Sequence, residues 1–218
     1  ATGEPVHPII ETPVSTVTDV EGEVPYPTQP IPHKANGERM EPVSPVFPTD
    51  IPAQQMEAND LVEQFTPIGP NQIFSPGYGG GANYAPISFS KDTGYLYINA
   101  IDQPFNSGRD PKGYFSAYDP TTGELIWRQI FEGYGQAGSV VTAGGIVFVG
   151  AGSNTAGYFY AYDAYTGEEL WKFNTGAGVF ASPSIYVIDG QEYVTVASGG
   201  GSRGRRGGDL ILVFALPD

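Results

Sequence analysis

The stretch Tyr118–Trp127, Tyr-Asp-Pro-Thr-Thr-Gly-Glu-Leu-Ile-Trp, returns as Tyr162–Trp171, Tyr-Asp-Ala-Tyr-Thr-Gly-Glu-Glu-Leu-Trp, a shift of 44 residues from position 118 to position 162. Self-similarity with a period of roughly 40–45 residues is typical of repeat architectures. In each copy an apolar strand runs into a short Asp-x-x-Thr-Gly turn, and an alternating strand follows that ends in tryptophan. The repeat therefore predicts β-propeller blades, with each tryptophan packed against the next blade.

Composition supports an all-β fold and excludes several classes of function. Glycine (30) and proline (20) make up nearly a quarter of the 218 residues, as in turn-rich β proteins. The formal charge of −14 argues against a nucleic acid partner, because phosphate binding requires basic surface. The absence of cysteine excludes disulfides, zinc–thiolate sites and a haem-attachment motif. No apolar run is long enough for a transmembrane segment.

The first part of the chain, residues 1–73, is predicted to be a Pro-rich, acidic arm. Thirteen of the 20 prolines fall within its first 70 residues. Pro25–Pro32 is expected to be extended, close to polyproline II, and Gln54–Gln64 is expected to be one short helix with Met56 on its apolar face. A disordered linker and an ordered arm wrapped over the propeller both fit this composition, and the apolar residues of the arm favour the second.

Residues 74–218 alternate strands and turns at short, regular spacing. Turn signals such as Lys91–Gly94, Ala143–Gly145 and Asp189–Gly190 separate apolar runs, which favours a propeller over a sandwich. At this period the region makes about three blades, whereas closed propellers have roughly four to eight and an open one exposes edge strands. We therefore expect a partner chain with the missing blades, or a longer product of which this chain, beginning at Ala1, is one piece.

Three segments together resemble one known family. Phe74–Tyr84, Phe-Ser-Pro-Gly-Tyr-Gly-Gly-Gly-Ala-Asn-Tyr, is similar to the Pro-Gly-x-x-Gly-Gly-x-Asn-Trp segment of the pyrroloquinoline-quinone (PQQ) dependent dehydrogenases. The two tryptophan repeats, which resemble that family's tryptophan-docking motifs, and the segment Gly176–Pro217 follow in the order seen in the C-terminal third of these eight-bladed quinoproteins. The resemblance covers most of the chain and implies about three blades of an eight-bladed propeller.

The resemblance also implies a function. In this family an alcohol, polyol or sugar is oxidised by hydride transfer to PQQ, which lies on the propeller axis beside Ca²⁺, and an Asp acts as the general base. Electrons pass to an external acceptor such as a cytochrome or a quinone. The catalytic Asp and the Ca²⁺ ligands are expected in earlier blades, so this chain should hold no catalytic residue and no metal ligand and should be inactive alone. A periplasmic or extracellular location follows from the same resemblance.

Three candidate cofactor-binding residues stand in the glycine-rich segment. By resemblance Asn83 faces PQQ, where its amide can donate to an oxygen of the cofactor, although on residues alone it fits a turn asparagine equally well. Gly81 permits a close approach of the backbone. Tyr84 replaces the family's tryptophan and offers either an aromatic wall with a hydroxyl or a packed core residue.

Gln136, Ser202 and Arg203 complete the set of cofactor-binding candidates. Gln136 stands where several family members have an aromatic residue near the mouth of the active site. Arg203 falls near the position of a tryptophan beside PQQ, and Ser202 precedes it in the loop Gly199–Gly208, which carries three arginines. These arginines could clamp a carboxylate of PQQ or of an acidic substrate, or they could form a surface loop against the acidic arm.

Another class of function also fits the repeat. Tryptophan repeats occur in non-catalytic propellers that bind proteins, such as scaffolds of the outer-membrane-assembly type. A scaffold has no need of an asparagine in a glycine-rich loop that faces the axis, so the dehydrogenase leads. A carbohydrate-binding module rests only on aromatic content. His7 and His33 have no second ligand at metal-binding spacing and are interpreted as surface residues.

Overall fold

The computed structural model describes residues 2–46, 48, 50–153, 156–200 and 207–215. Within them the elements, in chain order, are β1 Ile9–Pro13, β2 Thr28–Pro32, α1 Ala53–Ala58, β3 Asp60–Leu61, β4 Gln72–Ile73, β5 Ser88–Phe89, β6 Leu96–Asp102, β7 Lys112–Tyr118, β8 Leu125–Glu132, β9 Ser139–Val141, β10 Ile146–Gly152, β11 Gly157–Asp163, β12 Glu169–Asn174, β13 Ser184–Ile188, β14 Gln191–Gly200 and β15 Gly207–Ala215. In these parts of the chain, no helix has the length and apolar character needed to cross a membrane.

Consecutive strands form three antiparallel sheets that follow one another along the chain. Strands β5–β8 make the first, β9–β12 make the second, and β13–β15 make a third of three strands. We call these sheets blade 1, blade 2 and blade 3. Each blade is a meander, because every strand pairs with its neighbour in sequence. The fold is a partial β-propeller, which confirms the prediction from the repeat.

The two Asp-x-x-Thr-Gly turns fold as their residues predict. Oδ1 of Asp119 accepts hydrogen bonds from the backbone N–H groups two and three residues later, at 2.7 and 3.4 Å. Oδ1 of Asp163 does the same at 2.9 and 2.8 Å. Gly123 and Gly167 close the turns at φ +75°, where an L side chain is strained by roughly 1–2 kcal/mol. The same local chemistry therefore makes both hairpins.

The core lies between facing blades. Between blades 1 and 2 the buried residues are Tyr97, Phe115, Ala117, Trp127, Phe131, Val147, Val149, Ala151, Tyr160, Tyr162 and Ala164. Between blades 2 and 3 a smaller cluster contains Phe159, Val179, Val194 and Val196. Because successive residues of a strand point to opposite faces, β11 contributes to both interfaces.

The arm before blade 1 contacts that blade through polar groups. Ser44 Oγ donates a hydrogen bond to Ile101 O at 2.8 Å. The Asp50 carboxylate lies 2.5 Å from Lys112 Nζ and 3.3 Å from Arg109 Nε. These contacts join the acidic segment around residue 50 to the cationic side chains that flank the start of β7.

The helix of the arm is shorter than predicted. It ends at Ala58 instead of residue 64, because Asn59 is extended (φ −142°, ψ 150°) and Asp60–Leu61 pairs in parallel with Gln72–Ile73. None of its residues is buried, and Met56 is 44% exposed. The predicted apolar face of this helix is therefore wrong, and a backbone pairing takes over where the helix was expected to continue.

The segment expected to resemble polyproline II is a paired strand. Thr28–Pro32 pairs antiparallel with Ile9–Pro13, with Pro30 opposite Glu11. Each strand of a two-stranded sheet has one edge that faces no other strand. A proline whose nitrogen lies on that edge costs the sheet no hydrogen bond, although it lacks an N–H. The extended backbone was predicted correctly, but its partner, about twenty residues earlier in the chain, was not.

Candidate functional site

Two loops meet at the candidate site, one before β5 and one between β8 and β9. They line a narrow gap that has no room for a water molecule, and the lining residues are Gly81, Asn83, Tyr84, Ala85, Gly135 and Gln136. The gap thus brings together four of the six residues singled out from the sequence. The other two, Ser202 and Arg203, lie outside the described residues.

Asn83 and Tyr84 turn outward from the glycine-rich loop. Tyr84 is 65% exposed, so the packed-core alternative does not hold in this chain. Asn83 is also exposed, and its Nδ2 donates to Gly79 O at 3.2 Å. Within the described parts of the chain, its second N–H and its Oδ1 have no other partner, so this amide can offer a donor and an acceptor to a ligand.

Gly81 is fixed from the side of the arm. A Cβ at this position would lie 3.2 Å from Ser44 Cβ and 3.3 Å from Val43 Cγ2. Ile101 N donates to Gly81 O at 3.0 Å, while the carbonyl of the same Ile101 accepts from the buried Ser44 hydroxyl. Ser44 was not a candidate from the sequence, and nothing local points to it, because its partner lies 57 residues away.

The loop of residues 133–138 is buried along its whole length, although loops generally run over the surface. Gln136 is 8% exposed and therefore faces the gap from inside the molecule. Asn99 holds this loop: its Nδ2 donates to Ala137 O at 3.0 Å. That bond orients the amide so that Oδ1 faces Gly135, where a Cβ would come within 2.7 Å of it.

Asn99 is a second residue that the reasoning from sequence missed. It is 5% exposed, and its Oδ1 is a buried acceptor without a hydrogen-bond partner in the described parts of the chain. Buried polar atoms are almost always paired, so an orphaned oxygen next to a candidate site needs a donor from elsewhere. A usable signal existed, because Asn99 interrupts the apolar strand β6.

The gap itself carries no formal charge, since its lining residues are neutral. Arg109, whose side chain is 7% exposed, is neutralised by Asp102 at 2.5 Å and Asp50 at 3.3 Å. Among the described residues no group of three His, Cys, Asp or Glu could hold a metal ion. The gap therefore offers neutral hydrogen-bonding groups and no counter-charge for an anionic ligand.

Comparison with known proteins places the chain among quinoproteins. The family model for the PQQ "Glucose/ethanol/alcohol dehydrogenase, beta-propeller domain" matches residues 1–108 and 131–194, which is more than half of the chain. Quinoprotein alcohol dehydrogenase PedE of Pseudomonas putida is 36% identical over 160 residues, covering 62% of this chain and 25% of that protein. The 1-butanol dehydrogenase (quinone) of Thauera butanivorans is 34% identical over 204 residues, covering 81% of this chain and 30% of that protein.

Solved structures agree with these sequence matches. Quinohemoprotein alcohol dehydrogenase from Comamonas testosteroni superposes with a TM-score of 0.58 and 28% identity, over 66% of this chain and 27% of that one. A europium-containing methanol dehydrogenase shares the fold with a TM-score of 0.52 and 22% identity, over 89% of this chain and 39% of that one. The chain spans 25–30% of the length of the two curated relatives.

Proposed function

Since the chain belongs to the PQQ-dependent glucose/ethanol/alcohol dehydrogenase β-propeller family, we propose that it is the C-terminal part of a quinoprotein dehydrogenase. The whole enzyme oxidises an alcohol, a polyol or a sugar by hydride transfer to PQQ and passes the electrons to an external acceptor, such as a cytochrome or a quinone. When bound, PQQ supplies the redox chemistry, and the protein supplies orientation and electrostatics. The catalytic base lies in blades outside this chain, which has no activity alone.

The observation that carries this proposal is the convergence of two loops from neighbouring blades on one neutral gap. The Asn83 amide would meet a polar edge of the cofactor, and the exposed ring of Tyr84 would form a wall beside it. Gly81 would allow its backbone to approach closely, and Gln136 would contact the cofactor from the buried loop. Ser202 and Arg203 complete the proposed set, with Arg203 as a counter-charge for a carboxylate.

Exposed apolar strands support the presence of further blades. On blade 3 and the outer strand of blade 2 the exposed large apolar residues include Leu170, Trp171, Phe173, Tyr186, Val187, Ile188, Leu210, Ile211 and Val213. An apolar surface of this extent is typical of a face that another part of the protein covers. We propose that the remaining blades of an eight-bladed propeller, on a larger partner chain or on the rest of a longer chain, cover it.

Three further features belong to the same proposal. A Ca²⁺ ion, which would polarise PQQ as a Lewis acid, would take its ligands from the other blades. The enzyme acts in the periplasm or outside the cell. Residues 1–73 form an arm that packs on the propeller, and residues 74–218 form the blades; the contacts of Ser44 and Asp50 with blade 1 support this division.

Binding of PQQ in the presence of Ca²⁺ to the full-length protein that contains this chain tests the proposal directly. We expect saturable binding, followed by activity in a screen of alcohols and sugars with an artificial electron acceptor. Asn83→Ala should weaken PQQ binding about tenfold, because it removes a polar partner from the site. Asn36→Ala is the matched control, since Asn36 is also an exposed turn asparagine whose side chain accepts a bond from the backbone of Glu38.

One result would overturn the proposed function, and a second would remove one residue from the proposed site. A folded full-length protein that does not bind PQQ with Ca²⁺ present would make the non-catalytic scaffold the better interpretation. Equal PQQ affinity in the Asn83→Ala and Asn36→Ala variants would remove Asn83 from the cofactor site and leave it as a turn residue.

A further inference from the structure

A polar groove lies between blade 1 and blade 2, where β8 faces β11 and β12. Its volume is about 370 Å³, within the usual range for a small-molecule site. We call it the tyrosine groove and define it by Gln129, Tyr158, Tyr160, Tyr162, Glu169 and Lys172. None of these residues belongs to the gap between the two loops described above.

Two hydroxyls in the tyrosine groove lack partners. Tyr160 and Tyr162 are 4% and 2% exposed, and both side chains lie on the same face of β11 and line the groove. Their rings stack at 5.6 Å with an interplanar angle of 14°. In the described parts of the chain neither hydroxyl makes a hydrogen bond. Neither hydroxyl oxygen is among the fully buried unpaired atoms of the described residues, so both open into the groove, where water or the hydroxyl of a ligand can pair with them.

Other buried tyrosines of the molecule do not share this feature. Tyr97 OH donates to Ala164 O at 3.1 Å, and Tyr114 OH donates to Asp102 Oδ2 at 3.3 Å. Tyr118 OH likewise reaches a backbone carbonyl, at 3.2 Å. The fold therefore satisfies phenol groups where they serve packing alone, and the unpaired hydroxyls occur where the rings line an open groove.

Glu169 and Lys172 give the tyrosine groove one charge of each sign. They lie on β12, where Glu169 pairs with Tyr162 and Lys172 pairs with Tyr160 in the strand register. Lys172 Nζ lies 4.2 Å from the centroid of the Tyr158 ring. Burial first, and then the nearby Glu169 carboxylate, raise the pKa of Tyr160, and burial also raises the pKa of Tyr162. Both phenols thus stay protonated and can donate.

The groove therefore presents a row of hydroxyls, a carboxylate and an ammonium group with no net charge. A ligand that matches this set is neutral and carries several adjacent groups that both donate and accept hydrogen bonds. Its hydroxyls would accept from Tyr160 and Tyr162 and donate to Glu169. An anionic ligand is disfavoured by Glu169 and by the overall charge of −14. Because the rings of Tyr160 and Tyr162 stack on each other, their faces are covered, and the ligand would contact them through their hydroxyl groups.

From these observations we propose that the tyrosine groove is a binding site for a small neutral polyhydroxylated molecule, of the size of a glycerol or a monosaccharide. Phe131, stacked on Tyr160 at 5.7 Å, closes the inner wall with apolar surface that suits the C–H groups of such a ligand. The inference is independent of the PQQ site, because it uses no residue of that site.

The test is ligand-observed NMR on the full-length protein without PQQ, with glycerol and methyl α-D-glucopyranoside as probes. The glycoside has a blocked anomeric carbon, and gluconate serves as the anionic comparison. We expect saturable binding of the neutral probes and none of gluconate. Tyr160→Phe and Tyr162→Phe, which each remove one hydroxyl and keep the ring, should each weaken binding about threefold to tenfold. Tyr186→Phe, on blade 3, should leave binding unchanged.

Two further variants guard against a loss of fold. Glu169 and Lys172 are exposed, so Glu169→Gln and Lys172→Met should fold normally, and Glu169→Gln should also weaken binding severalfold. The proposal fails if neither neutral probe saturates, which would mean that the groove holds only water, or if the Tyr→Phe variants bind as the parent does. PQQ binding without polyol binding would overturn this inference alone, and the reverse result would overturn only the proposed function.

Discussion

The two tryptophans of the repeat occupy the same position in neighbouring blades but differ in their surroundings. Trp127 is 8% exposed, its Nε1 donates to Ala164 O at 3.1 Å, and a Cβ on Gly167 would touch its ring at 2.6 Å. Trp171 is 36% exposed and packs edge-on against Phe214 at 4.9 Å, and no acceptor among the described residues meets its indole N–H.

The difference shows that the repeat supplies only half of each blade contact. Blade 2 covers Trp127 with its own Asp163–Gly167 turn, which provides both the acceptor and the glycine against the ring. Blade 3 is described only as far as Ala215, before any corresponding turn. The burial of the tryptophan therefore depends on two adjacent blades and is not determined by the motif of one blade.

Truncation of the two tryptophans should give the largest effects. Trp127→Ala leaves a cavity in the enclosed interface and should cost about 3–5 kcal/mol of unfolding free energy. Trp171→Ala should cost a comparable amount, because we propose that the remaining blades cover this ring in the full-length protein. Urea unfolding of the full-length protein measures both. A loss of only about 1–2 kcal/mol for Trp171→Ala would mean that this ring stays part-exposed in the complete molecule, and the proposal that further blades cover it would be wrong.

Glycine-to-alanine changes in the two turns should separate the cost of the turn from that of the ring contact. Gly123→Ala and Gly167→Ala share the strain of φ +75°. A Cβ at Gly123 meets the flexible end of the Met40 side chain, which can move, but a Cβ at Gly167 meets the rigid Trp127 ring. We expect Gly167→Ala to lower the free energy of unfolding by about 1–2 kcal/mol more than Gly123→Ala.

A double-mutant cycle tests whether a Cβ at residue 167 meets the Trp127 ring. Gly167→Ala combined with Trp127→Ala should cost less than the sum of the two single changes, because the clash disappears with the ring. Strict additivity would show that the added methyl group is accommodated without touching Trp127, and the role assigned to the turn of blade 2 would be wrong.

The sequence predicted what depends on local patterns. The turn signal Asp189–Gly190 was expected to separate two apolar runs, and it does lie between β13, which ends at Ile188, and β14, which begins at Gln191. The hairpin of Thr28–Pro32 with Ile9–Pro13 was missed, because pairing across an intervening segment has no local signature. The half-exposed state of Trp171 could not be foreseen either, since it depends on the next blade rather than on the motif.

The candidate site follows the same division. Gly81, Asn83, Tyr84 and Gln136 came from resemblance to a family, and they do line one gap. Ser44 and Asn99 hold the two loops but were not predicted, because their importance comes from partners that are distant in sequence. The groups that shape the loops are therefore harder to find from sequence than those that resemble a known motif.

Removal of the Tyr97 hydroxyl tests a smaller difference between the two blade interfaces. Ala164 O accepts from both Trp127 Nε1 and Tyr97 OH, at 3.1 Å each. Phe148 of blade 2 stands opposite Ala161 as Tyr97 stands opposite Ala117, so the second interface has no hydroxyl there. Tyr97→Phe should cost about 1 kcal/mol in urea unfolding.

The control is the reverse change in the second interface. Phe148→Tyr should not stabilise the protein if blade 3 offers no acceptor at the corresponding place. A gain of stability comparable with the loss in Tyr97→Phe would show that such an acceptor exists, and the two interfaces would then be more alike than the contact of Trp171 suggests.

The smallest expected effect concerns pH. Hydrogen bonds, chiefly from the Thr166 N–H, hold the pKa of Asp163 below its usual value of 3.8. Because the folded state binds this proton less readily than the unfolded state, the stabilisation is present above pH 3.8 and is lost as the pH falls through the lowered value. Asp163 is partly exposed to solvent, so screening limits the effect to a few tenths of a kcal/mol. When the pH is lowered from about 6 to about 3, the Asp163→Asn variant should therefore lose slightly less stability than the parent protein. Thermal unfolding at the two pH values measures this difference. Asp119→Asn should behave alike if the turns act independently of the tryptophans, while a larger change for Asp163→Asn would tie the turn of blade 2 to the burial of Trp127.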